Sequence, residues 1–263
     1  RGSNKGLESN TTDAETGSAG FSTFNSNGFT LTGGFGKTNS ASSTYASWSF
    51  RKAEKFFDVV TYTGTGVAGR TVAHNLGSAP GMIVVKKTSG SAQWPVYHVS
   101  RGIGKELFLN QTAAETAYGD LWEGVTSTNF TVSANNQVNF SGDTYVAYLF
   151  ASDAGGFGAG DSENIIKCGS YTGNGSTTGP VIDCGFEPQW LLIKASSGST
   201  GNWYMYDSMR GLTASGANDA ELYPSTAGAE YAGRESINVT ATGFQLATTN
   251  TANNANGSTY IYM

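Results

Sequence analysis

Histidine and cysteine are nearly absent from this chain: two of each in 263 residues, His74, His98, Cys168 and Cys184. Two cysteines are too few for a disulfide framework or a four-ligand zinc site. A Ser-His-Asp triad needs a histidine base. Neither histidine recurs in the internal repeat described below, where the aligned places hold Ile182 or Asp183, and Asp207. Both read as ordinary surface or rim residues. Charge is scarce too, at 13% of residues with a net charge of −5, and a chain without a basic face is a poor partner for nucleic acid. No apolar run reaches the ~18 residues that a membrane-spanning helix needs. There is no Walker loop, no Gly-x-Ser-x-Gly elbow and no His-Glu-x-x-His pair. No signal peptide is visible, which decides nothing for an internal fragment.

Glycine is plentiful instead, with 36 residues, and aromatics make up 12%. Many Gly, Thr, Ser and Asn with many Tyr and Phe fit an all-β chain, which needs turns and strand formers more than helix formers. The aromatic share separates it from a disordered Gly/Ser tract.

The chain also repeats itself. Tyr62-Thr-Gly-Thr-Gly66 returns as Tyr171-Thr-Gly-Asn-Gly175. Pro80 and the apolar run ending at Lys86 return as Pro188 and the run ending at Lys194. Trp94, Tyr97 and Arg101 return as Trp203, Tyr206 and Arg210, and the offset stays at 108 to 109 residues. So many positions at one offset, in one order, mark a duplicated domain. A third, partial copy shows in a closing pattern of Phe, polar stretch and Tyr: Phe29 to Tyr45, Phe130 to Tyr145 and Phe244 to Tyr260, spaced 16, 15 and 16 residues. The expected organisation is a polar lead-in (1–20), closing strands of a preceding repeat (21–55), a first unit (56–155), a Gly-rich linker (156–162) and a second unit (163–263) with its last strand cut short. The chain reads as a segment of a longer polypeptide.

Period-2 runs between turn residues predict eight strands in the first unit, at 57–62, 70–75, 82–87, 94–99, 106–110, 124–126, 129–133 and 145–151. Short strands at this density predict tandem β-sandwich or jelly-roll-like repeats. The run from Met82 to Val85 reads as a central strand buried on both faces. One short helix is expected at 112–118, with a counterpart at 226–231. The cores are expected to include Val59, Val84, Phe130, Tyr145, Ala147, Leu149, Leu192, Phe244 and Tyr260. Residues 165–171 and 180–186 are expected to pair as a hairpin around Gly173-Asn174-Gly175. Cys168 and Cys184 would then face each other, either as a cross-strand disulfide or as a buried apolar pair.

Chemistry-bearing candidates are few. Asp120 and Glu123 flank Trp122, but the spacing does not recur around Tyr231, and a glycosidase needs two carboxylates across a cleft. No catalytic, cofactor-binding or metal-binding residue is assigned, and no cofactor is expected. Lys86, Trp94 and Arg101, with Lys194, Trp203 and Arg210, recur in both units and so read as structural. The lysines are expected at the sheet edge with their stems along the tryptophan rings, and the arginines anchoring loops through carbonyls. The loops diverge in length, and Tyr118, Trp122, Tyr223 and Tyr231 sit in them as candidate surface contacts. The expected contact loops are 89–93, 111–123, 196–202 and 212–235.

The ordered set of a Tyr-x-Gly-x-Gly turn, a Gly-x-x-Pro followed by an apolar strand ending in Lys, a Trp-x-x-Tyr, an Arg-Gly and a closing Tyr strand resembles a tandem module of bacteriophage structural proteins. It is similar to the repeated domain of tail fibres and virion appendages of marine phages, including those of cyanobacteria, over residues 21–263. Cys184 stands where a leucine is more usual. The resemblance implies a non-enzymatic, virion or extracellular protein that contributes to host-surface attachment or assembly. It implies partners among copies of itself, as a homo-oligomer with a trimer favoured, among other virion proteins, and in a host-surface glycan. It carries over no catalytic or ligand residues. The alternative reading is a secreted array of carbohydrate-binding modules.

Overall fold

The computed structural model describes residues 2–17, 20–32, 36–117, 120–216 and 219–263. The fold is all-β. A first hairpin joins β1 (Phe21–Asn25) to β2 (Gly28–Leu31). Then follow β3 (Phe57–Thr63), β4 (Arg70–Ala73), β5 (Met82–Lys87), β6 (Pro95–His98), β7 (Leu107–Phe108), β8 (Trp122–Val125), β9 (Asn129–Val132), the one-turn α1 (Asn136–Asn139) and β10 (Thr144–Phe150). The second series is β11 (Gly169–Thr172), β12 (Val181–Asp183), β13 (Trp190–Ser197), β14 (Tyr204–Asp207), β15 (Ile237–Thr240), β16 (Gly243–Leu246), α2 (Thr251–Asn254) and β17 (Thr259–Tyr262).

Each series makes two antiparallel sheets. The first gives the orders β3-β10-β5-β6-β7 and β4-β9-β8, and the second gives β11-β17-β13-β14 and β12-β16-β15. In the second series an isolated bridge from Met205 to Leu222 stands where β7 pairs in the first. The inward faces of each pair of sheets meet in a sandwich core. Phe130, Tyr145, Ala147 and Leu149 lie in the first core, and Phe244 and Tyr260 in the second. Leu192 is buried too, but it joins Trp203, Ile261 and Met263 in the apolar cluster of the first unit. Val59 is only half-buried, because β3 is an edge strand. β5 is buried along its whole length, as expected of the middle strand of five.

The repeated tyrosine motif has one physical explanation. Tyr62 and Tyr145 are paired across β3 and β10 and stack at 5.1 Å, and Tyr171 and Tyr260 do the same at 5.0 Å. Their hydroxyls donate to the one-turn helices, to Val138 O and Asn136 O in one unit and to Asn253 O and Thr251 O in the other. A buried asparagine closes the motif. Asn139 Oδ1 accepts from Thr65 N while its amide donates to Val67 O and Ser133 O, and Asn254 repeats this with Asn174 N, Ser176 O and Thr248 O. The turn can contain only glycine at two places: a Cβ on Gly64 would stand 2.2 Å from Phe140 O, and one on Gly173 2.4 Å from Ala255 O.

Several expectations are corrected. Strands β11 and β12 do not pair with each other. β11 joins β17 and β12 joins β16, in different sheets, so the expected hairpin is absent, and Cys168 and Cys184 are buried free thiols. No helix forms over 112–117 or 226–231; both stretches are extended loops closed by the bridges Glu106↔Thr116 and Glu221↔Tyr231. Residues 45–50 do not form a closing strand. Their counterpart, β10, lies between β3 and β5, whereas no strand pairs with 45–50 among the described residues. Residues 44–48 lie instead against the second unit, where Trp48 donates from Nε1 to Asp207 Oδ2 at 3.1 Å. His74 and His98 are buried rather than at the rim. His98 is held neutral, its pKa lowered by burial to about 4, and its Nε2 lies 3.1 Å from Tyr262 O across the two units.

Candidate functional site: the joint between repeats

Residues 1–20 carry a loop that the other two units also carry. Lys5, Leu7, Asn10, Thr12, Ala14, Glu15 and Thr16 stand 100 residues before Lys105, Leu107, Asn110, Thr112, Ala114, Glu115 and Thr116. The same loop returns as residues 222–231, with Ala229 and Glu230 in the places of Ala114 and Glu115. One antiparallel bridge closes each copy: Gly6↔Thr16, Glu106↔Thr116 and Glu221↔Tyr231. A cation holds the glutamate in each: Lys5 to Glu15 at 3.3 Å, Arg101 with Lys105 to Glu115, and Arg210 to Glu230 at 2.9 Å. The arginines therefore anchor their loops chiefly through carboxylates and not, as expected, through carbonyls. Arg210 adds Asp207 at 2.6 Å, the carbonyl of Met205 at 3.3 Å and a stacking contact on Trp48.

This loop docks on the next unit, and the recurrent lysine and tryptophan receive it. Lys86 and Lys194 are fully buried, where an edge position was expected. Lys86 Nζ donates to Ala92 O of its own unit at 2.7 Å and to Thr12 O of the preceding loop at 2.8 Å. Lys194 Nζ donates likewise to Gly201 O at 2.9 Å and to Thr112 O at 3.0 Å. Trp94 Nε1 donates to Thr11 O at 3.0 Å, and Trp203 Nε1 to Phe108 O at 2.9 Å. Two backbone bonds complete each joint. Ala92 N donates to Thr12 O and Glu15 N to Thr88 O; Gly201 N donates to Thr112 O and Glu115 N to Ser196 O. Lys86 also lies over the Trp94 ring at 5.8 Å.

The chemistry of the joint is capping. Burial lowers both lysine pKa values to about 8, so both ammoniums remain mostly charged at neutral pH. A buried ammonium needs oxygen acceptors, and half of those it has here belong to the neighbouring unit. Residues 111–116 and 196–201, expected as surface-contact loops, thus meet each other inside the chain. The acceptors are backbone carbonyls, which carry no side-chain signature. The signal that locates them is the Ala-Glu pair at 14–15, 114–115 and 229–230.

The four aromatic candidates part ways. Tyr118 lies outside the described residues. Trp122 is not at a loop tip; it opens β8, is 1% exposed and packs against Tyr97 and Phe130. Tyr223 is half-buried and donates to Glu221 Oε2 at 2.7 Å, with its ring edge-on to Tyr204. Tyr231 is 43% exposed and stacks on Arg234.

Asp120 faces Glu106, not Glu123. Burial and the hydrogen bond with Asp120 push Glu106 up to about 7, while Asp120 itself is lowered, first by that bond and then by Asn135. Glu123 Oε2 accepts from Gly69 N at 2.7 Å. An apolar cavity of about 480 Å³ lies between the units, lined by Phe50, Phe186, Pro188 and Trp190. The Cys184 thiol beside it is pushed up by burial to about 11 and so stays protonated. No cluster of metal-ligating side chains occurs among the described residues. A family model described as a domain of unknown function (DUF7483) matches residues 1–263. No curated protein and no solved structure matches the chain.

Proposed function

This chain belongs to the DUF7483 family, a domain of unknown function, and we propose that it is a non-enzymatic structural protein of a virion: a phage tail fibre or appendage that serves assembly or host-surface attachment. The observation that supports this reading is the joint. Each unit offers a loop carbonyl to a buried lysine of the next, twice along the chain from corresponding threonines, Thr12 and Thr112. A capped buried charge fixes the angle and register of successive units, which an extended appendage needs. Conversely, an array of independent binding modules needs only linkers, and these units share an apolar cluster in which Leu192, Trp203, Ile261 and Met263 join the first unit's core. Self-assembly as a homo-oligomer and attachment to a host glycan belong to the same reading. The test is immunogold microscopy of phage particles with antibody raised against the chain. Label on tails or fibres, with adsorption blocked, is the expected result. Label only on protein secreted by uninfected bacteria overturns it.

A further inference from the structure

The loop that the first unit lends to the second, residues 106–116, is closed at its base by more than backbone. Glu106 N donates to Thr116 O and Thr116 N to Glu106 O, both at 3.1 Å. Outside this bridge the carboxyls of Glu106 and Asp120 are in hydrogen-bond contact. Asp120 N also donates to Glu106 Oε1 at 3.3 Å. Asn135, which caps α1, donates from Nδ2 to Asp120 Oδ2 at 3.1 Å. Glu106 is 8% exposed, and Asp120 is the charged group that acts on it among the described residues. The other charges of this loop, Arg101, Lys105 and Glu115, pair among themselves. Two carboxyls in contact are held together by one shared proton, and ionised together they repel. The pair occurs in one loop of the three. The offset of 100 residues puts Gly6 and Gly20 at its places in the preceding loop, and the offset of 115 puts Glu221 and Glu235 there in the following one. Glu221 has no need of a shared proton, because it accepts from the hydroxyls of Tyr206, Ser236 and Tyr223.

We propose that Glu106 and Asp120 form a proton-operated latch on the joint between the two units. With the proton shared, the loop is held in its capping geometry. Without it, the base of the loop spreads, and Thr112 O and Glu115 N leave the second unit. The inference rests on the joint and goes beyond any role in an appendage. Burial and the bond with Asp120 raise Glu106 from 4.5 to about 7. The latched state therefore prefers the proton: latching is full below the ordinary value of 4.5 and is lost as pH rises through about 7. Lys194, on the other side of the joint, works with the opposite sign. Its acceptors are neutral carbonyls, no charged group among the described residues acts on it, and burial lowers it to about 8. A rise in pH through about 8 therefore favours the docked state, in which that ammonium is buried. The joint is loosest between these two values.

The experiment is amide hydrogen exchange on the full chain, resolved residue by residue by NMR. The Glu115 and Gly201 N–H groups make the two backbone bonds of this joint, so their protection reads docking. Each rate is divided by the intrinsic rate of an unfolded amide at the same pH. Protection of both is expected to fall by about tenfold between about pH 5.5 and about pH 7.5, the change that one unit of the Glu106 titration gives. Amides of β10, inside the first core, should keep theirs. Glu106→Gln keeps a hydrogen bond to Asp120 without a titrating proton and should abolish the fall. Asp120→Asn, at an exposed position, removes the repulsion and should shrink it; this variant carries the test if Glu106→Gln does not fold. A packing role alone would lower protection in the variants at both pH values and leave the fall in place. A fall of undiminished size in either variant, or no fall in the wild type, overturns the latch and leaves the joint standing. Unprotected Glu115 and Gly201 amides at both pH values in the wild type overturn the joint itself.

Discussion

Lys194 lies wholly inside the molecule, and both its protein acceptors are backbone oxygens, one of them from the preceding unit. Lys194→Ala leaves Gly201 O without that donor, while Thr112 O keeps the bond from Gly201 N, and one carbonyl so orphaned costs about 1–3 kcal/mol. Chemical unfolding should show a loss in that range, and Lys86→Ala should behave alike. Unchanged midpoints in both would mean that the ammoniums are dispensable. The repeat phenylalanines answer to a simpler rule. Phe130 and Phe244 are fully buried beside the stacked tyrosine pairs, so truncation to Ala should cost about 3–5 kcal/mol. A neutral thermal shift would remove them from the core. At this scale the sequence pointed to the right residues for a partly wrong reason: it marked Lys86 and Lys194 as structural, but placed them at a sheet edge.

The loop formed by residues 106–116 is an element with a titratable base. Glu106 supplies the bridge to Thr116 that closes it, and its carboxyl faces Asp120, which Asn135 also contacts at 3.1 Å. The Glu106 pKa is raised in the fold from 4.5 to about 7. A raised carboxyl pKa means that the folded state prefers the proton. The stabilisation is full below the unfolded value and is lost as pH rises through about 7. Asp120, lowered in the fold, acts in the opposite sense at the acid end, where stability falls as it protonates. Denaturant midpoints measured at mildly acidic and mildly alkaline pH should therefore differ in the wild type, with the acidic one higher. Glu106→Gln should flatten that difference; a difference of the same size in the variant would place its origin elsewhere.

The whole molecule is two sandwiches joined by a capped charge and a shared apolar cluster. His98 adds a neutral contact from β6 to Tyr262 O. With the core of the first unit extending to Trp203, Ile261 and Met263, the units should unfold together. Calorimetry is expected to show one transition for the wild type. The double variant Lys194→Met/Trp203→Phe keeps apolar bulk but removes both side-chain donors to residues 108 and 112, and is expected to split the transition in two. A single unsplit transition in the variant would show that the apolar cluster, the two backbone bonds of the joint and the His98 contact couple the units without the Lys194 and Trp203 donors.

Composition and repetition by themselves determined that the chain is all-β, where most strands run, and which residues recur. A strand needs only a local pattern, and Gly64, Gly173 and the four stacked tyrosines are held by contacts made the same way in both units. Residues 45–50 show the limit of such patterns. They match β10 in sequence, yet form no strand, since a strand needs a paired neighbour and none pairs with them among the described residues. Cys168 and Cys184 show the same limit, since equal spacing from a turn does not say which sheet each strand joins. Only the tertiary structure decided that residues 11–16 and 108–116 cap the lysine of the next unit. Those bonds end on backbone carbonyls, and every residue carries a carbonyl, so no choice of side chain announces which one a buried ammonium will find.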